Sequence, residues 1–158
     1  MRELTQTSFH PAGNCWQTCI ACILDIDPAE MPPQEKYDWN YHSTVNWYLR
    51  EHHNLAYVEI HLPEESLSIL QIAPPGYHML TGRTVRSDAQ DGARHVVVGQ
   101  YGKMVWDPHP SRAGLLEEIR WGLLIPFPKS WRDSSLNLDP CECPRCSASR
   151  GGPASSPA

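Results

Sequence analysis

Cys15, His95 and Asp107 have the types and surroundings that nucleophilic catalysis needs. The thiolate is the reactive form of cysteine, and a helix N-terminus beside an imidazolium favours it near neutral pH. Cys15 follows Asn14, a residue type suited to N-capping, at the head of the helically patterned run CWQTCIACILD. Its sulfur is expected beside unpaired backbone N–H groups, with its own N–H available to bind an oxyanion. His95 begins one apolar strand and Asp107 follows the next, with Tyr101-Gly102 as the turn between them. Across that hairpin the two fall approximately opposite, one residue short of true register, and cross-strand partners are close enough for an imidazole to meet a carboxylate. Such a trio would attack a carbonyl and pass through a thioester acyl-enzyme. His10 and His109 adjoin prolines and His78 has no partner at hairpin spacing, so they are weaker candidates for the base.

Positioning the trio requires helices first and a sheet second. The pattern predicts a helix over 15–25, stopped by Asp27-Pro28, and a second over 44–53 capped by Ser43, with Val45, Tyr48, Leu49 and His52 on one face. Residues 28–40 read as a loop or short helical turn. From residue 56 the period becomes two, giving expected strands at 56–62, 77–81, 95–100, 103–106 and 119–126. A short helix over 67–72 and a rim loop over 83–94 complete the reading. This order makes the chain α+β, an N-terminal nucleophile helix packed on a small antiparallel sheet.

The segments Gly13-Asn14-Cys15-Trp16, GARHVVVG over 92–99, and Val105-Trp106-Asp107-Pro108 together resemble the papain-like cysteine peptidase superfamily. The likeness is to its compact bacterial and phage members, similar to the peptidase domains that process bacteriocin leaders. It covers about residues 5–127 and implies a papain-like fold and a catalytic triad of Cys15, His95 and Asp107. It also implies a glutamine that donates to the oxyanion. Gln6 fills that role nine residues before Cys15, farther than in the best-known members. A hydrolase of amide, peptide or isopeptide bonds is implied, needing no cofactor and acting on a peptide or protein. An acyl or amine transferase would use the same triad, and a catalytically silent papain-like binding module would keep only its shape.

The remaining cysteines carry other readings. Cys15, Cys19 and Cys22 form C-x3-C-x2-C, the spacing of an iron–sulfur site, but on an amphipathic helix of a 158-residue chain, too short for the barrel such enzymes use. Cys141, Cys143 and Cys146 offer three of the four ligands a structural zinc takes. They lie in a Ser/Pro/Gly-rich tail, 132–158, expected to be disordered beyond a domain of 1–131. Clustered rather than dispersed cysteines suit a reducing compartment, and the polar start lacks a signal-peptide core, so a cytoplasmic enzyme is expected. A net charge of −5 argues against nucleic acid as a partner, and no apolar run reaches the roughly 18–20 residues of a membrane span.

Overall fold

The computed structural model describes residues 1–9, 13–32, 41–61, 75–84 and 94–128. Helix α1 spans Cys15–Leu24 and α2 Tyr41–His53. The strands are β1 Leu55–His61, β2 Tyr77–Arg83, β3 Arg94–Gln100, β4 Lys103–Trp106 and β5 Glu117–Pro126. They form one antiparallel sheet in the order β1-β5-β2-β3-β4. The fold is therefore α+β. The expected helix over 67–72, His10, most of the rim loop and the whole C-terminal tail with Cys141, Cys143 and Cys146 lie outside the described residues.

Local sequence accounts for most boundaries. Asp25 ends α1 in the left-handed conformation (φ 60°), and Asp27 then caps a 3-10 turn at Pro28–Glu30, accepting from the Ala29 N–H while Glu30 reaches back to the Asp27 N–H. Tyr101 and Gly102 take φ values of 51° and 70°, the paired positive angles of a two-residue hairpin whose twist matches its strands. One expectation fails at α2. Ser43 does not cap it, because the helix begins two residues earlier, at Tyr41, whose ring is buried against Trp16. Tertiary burial has overridden the local cap.

Alternation along the strands gives the sheet two faces. Val96, Val98 and Met79 carry α1, while Tyr57 lies under α2, and these with Ile20, Val45, Tyr48 and Leu49 form the main core. Val97, Leu80 and Trp121 form a smaller cluster on the other face, with Leu115 against it. Strand β1 is a sheet edge, and α2 protects it. The Asn46 side chain accepts from the Tyr57 N–H at 2.7 Å and donates to its carbonyl, filling the hydrogen-bonding sites that a further strand would use.

Candidate active site

The site assembles where the start of α1 meets the first residue pairs of β3. Asn14 precedes the helix, but its side chain does not cap it. The carboxamide instead accepts from the Thr7 and Ser8 N–H groups at 3.1 and 3.0 Å and donates to Thr7 Oγ1, tying the N-terminal segment to the helix start. The Asn14 carbonyl takes up the first helical bond, from the Thr18 N–H, and the Thr18 hydroxyl. With the Asn14 side chain turned away, its carboxamide does not compete with the Cys15 sulfur for the free N–H groups of the first turn.

His95 and Asp107 meet as the sequence predicts, by a different route. The β3–β4 ladder pairs Gln100 with Lys103 and Gly99 with Met104, then shifts, so that Val98 faces Trp106 and Val105 is the bulged residue. The shift runs opposite to the one the hairpin arithmetic needs. Extending the ladder sets Asp107 beside Val97, with His95 two residues along on the same side. The pair is thus diagonal rather than directly opposite, within reach of an imidazole. His95 Nε2 lies 2.7 Å from Asp107 Oδ1, with the two side chains 2% and 1% exposed. A carboxylate only accepts, so Nε2 carries the proton and Nδ1 is the nitrogen left for the thiol.

The aspartate is held on every side. Oδ1 also accepts from the His109 N–H, and Oδ2 from the Gly114 N–H, each at 2.8 Å. Gly114 sits at φ 71°, a conformation that costs an L side chain, where an added Cβ would also press on the Met104 thioether. Arg112 donates to the carbonyls of Asp107 and His109 and to Thr5 Oγ1, and its guanidinium lies 4.0 Å over the Trp106 ring. Burial alone would raise the pKa of Asp107, but the bonds from His95, Gly114 and His109 bring it down to about 2.

The electrostatics shift Cys15 and His95 towards an ion pair. Burial pushes the Cys15 thiol up, yet the hydrogen bond and charge of His95, with backbone bonds from Val96 and Trp16, bring it below the ordinary thiol value. Burial pushes His95 down, and the bonds to Asp107 and Cys15 carry it above the usual histidine value. Cys19 and Cys22 behave oppositely. Burial raises both; Cys19 Sγ donates to the Val96 carbonyl and Cys22 Sγ to that of Leu4. The three sulfurs face three different places, and among the described residues no three His, Cys, Asp or Glu side chains converge to hold a metal. The iron–sulfur reading of C-x3-C-x2-C has no geometry behind it here.

Gln6 is buried beside the same loop. Its N–H donates to the Pro108 carbonyl, and its Nε2 donates to the Ser8 carbonyl at 2.9 Å, leaving one amide hydrogen of Nε2 without a partner among the described residues. His109 is no rival base, since its ring stands edge-on to His95, and its Nδ1 is engaged by Ser111. His78 lies at the far end of the β2–β3 ladder. The roles of Arg112 and Gly114 were missed in the sequence. The run Asp-Pro-His-Pro-Ser-Arg-Ala-Gly does announce a turn that accepts on its aspartate, and that was the available signal.

No family model matches the chain, and no curated protein or solved structure matches it. Among the described residues no helix is long and apolar enough to cross a membrane.

Proposed function

We propose that the chain is a cysteine hydrolase with a papain-like fold, cleaving an amide, peptide or isopeptide bond in a peptide or protein. The observation that carries this reading is the buried His95–Asp107 bond with Cys15, at a helix start, hydrogen-bonded to the same histidine. The Cys15 thiolate attacks the carbonyl carbon, and the oxyanion accepts from the Cys15 N–H and from the free amide hydrogen of Gln6. Imidazolium Nδ1 gives its proton to the leaving amine as the C–N bond breaks, leaving a thioester. Water then loses a proton to Nδ1 and attacks the thioester, and Cys15 departs as thiolate. An amine in place of water would turn the same residues to transfer. Three free thiols among the described residues support a reducing compartment, the cytoplasm.

Iodoacetamide labelling, mapped by mass spectrometry across pH, tests the reading. Cys15 is expected to alkylate at pH 6 some tens of times faster than a free small-molecule thiol. His95→Ala is expected to return its profile to that of an ordinary thiol. A wild-type Cys15 that labels only with an ordinary thiol's profile sinks the proposal.

A further inference from the structure

The N-terminal segment carries an exposed aromatic ring to the edge of the site. Ser8 is bonded twice to Asn14: its N–H donates to Asn14 Oδ1 at 3.0 Å, and its carbonyl accepts from the Asn14 N–H at 3.3 Å. Phe9 follows Ser8 and Cys15 follows Asn14, so this pairing holds the phenylalanine beside the start of α1. From the acid loop, His109 meets the Phe9 ring edge-on, with centroids 5.3 Å apart and planes at 79°. His109 in turn stands edge-on to His95 at 6.1 Å. Phe9 is thus anchored to the neighbours of both nucleophile and base.

Three rings in file, Phe9, His109 and His95, lead from solvent to the imidazole. Phe9 is 45% exposed, His109 is half-buried and His95 is buried, while Cys15 keeps partial exposure of its own. A single exposed apolar ring is ordinary on a protein surface. This one is set apart by its position and by a rigid backing, since the His109 N–H donates to Asp107 Oδ1 and its Nδ1 is engaged by Ser111. The edge contact uses one part of the Phe9 ring and leaves the rest to solvent.

The chemistry proposed above assigns this ring to one side of the scissile bond. The leaving amine takes its proton from His95 and so departs next to that imidazole. Of the described groups around His95, Asp107 and Gly82 are buried and Cys15 retains the acyl group, whereas His109 and then Phe9 lead outward. An extended chain advances about 3.3 Å per residue, so a ring two contacts from the imidazole is within reach of the first side chain of the leaving group. The partner that suits an exposed phenyl ring is a large apolar or aromatic side chain, because both then withdraw apolar surface from water.

Resting on that hydrolase reading, we propose that Phe9, backed by His109, receives the side chain of the residue just after the scissile bond, making the enzyme selective for a large apolar residue there. The test digests a library of proteome-derived peptides with the wild-type chain and sequences the new N-termini by mass spectrometry, with Cys15→Ala as the blank. Phe, Tyr, Leu and Met are expected at the new termini at least about fivefold above their library frequency, the scale of partly burying one such side chain. In Phe9→Ala this enrichment is expected to fall to near one, and in Phe9→Glu to give way to Lys and Arg. Circular dichroism checks the fold of both variants, and the exchange in Phe9→Glu is the readout should Phe9→Ala be unfolded. Wild-type termini without apolar enrichment, an enrichment that survives Phe9→Ala, a preference unchanged in Phe9→Glu, or a folded Phe9→Ala that cuts nothing overturns the Phe9 assignment while leaving the hydrolase reading in place. A wild-type chain that makes no Cys15-dependent cut overturns the peptide-hydrolase reading itself.

Discussion

The two ends of the β2–β3 ladder each bury a histidine, and the environments drive them in opposite directions. At one end His95 pairs with Gly82, at the other His78 with Gly99. Their exposures, 2% and 0%, are nearly equal. Burial lowers the affinity of both rings for protons, but His95 has Asp107 and Cys15 to restore it and ends above the usual value. Among the described residues His78 hydrogen-bonds only to the Gly76 carbonyl, with Nε2 unpartnered, and it ends below. Desolvation by itself makes an inert imidazole; a buried carboxylate turns the same residue into a base.

Asp107→Asn attacks this contrast most directly. It removes the charge that orients His95 and keeps its proton on Nε2, and hydrolysis of a susceptible amide is expected to fall by on the order of 10³–10⁴. The matching change at the other end, His78→Gln, is expected to leave the alkylation profile of Cys15 unchanged. Gly99→Ala comes next. An added Cβ would lie 2.8 Å from His78 Nε2 and from Leu80, so an expected loss of about 1–3 kcal/mol should appear in urea unfolding without altering the Cys15 profile. Smaller still is the acid limb. Because Asp107 titrates at about 2 when folded, its contribution is full above the unfolded carboxyl value of about 4 and disappears as pH falls from about 4 to about 2. Unfolding curves of wild type should therefore steepen in that window and those of Asp107→Asn should not. Finally, ring-proton NMR should show His95 titrating above and His78 below about 6.5. Coincident titrations would erase the distinction between the two ends.

Much of this was legible in the sequence. The two-residue turn at Tyr101-Gly102 fixes β4 at Lys103–Trp106 as expected, and Val45, Tyr48 and Leu49 do share the buried face of α2. Turn chemistry and periodicity are local, and local signals survive folding. The bulge at Val105 was not legible, since nothing in Lys-Met-Val-Trp requires it, and the His95–Asp107 encounter depends on where the chain leaves the ladder. Nor was the fate of Asn14. Its type suits a cap, but Thr7 and Ser8, brought alongside by the fold, take its side chain. Half-buried polar clusters joining remote segments, such as Glu59 with Arg120, have no sequence spacing to betray them.

The N-terminal segment links the two halves of the site. Arg2 bonds to the end of α1, Leu4 accepts from the Trp106 indole, Thr5 from Arg112 and Gln6 donates to Pro108, while Thr7 and Ser8 hold Asn14. Three of these contacts close loops of more than a hundred residues, the slowest kind to form and among the easiest to open without melting the sheet. The N-terminal segment can thus open separately from α1 and β3, which share the main core. Amides of residues 6–8 should exchange with deuterium well before those of β3, and each such opening would free Asn14 and Arg112 from the segment while α1 and β3 stay packed.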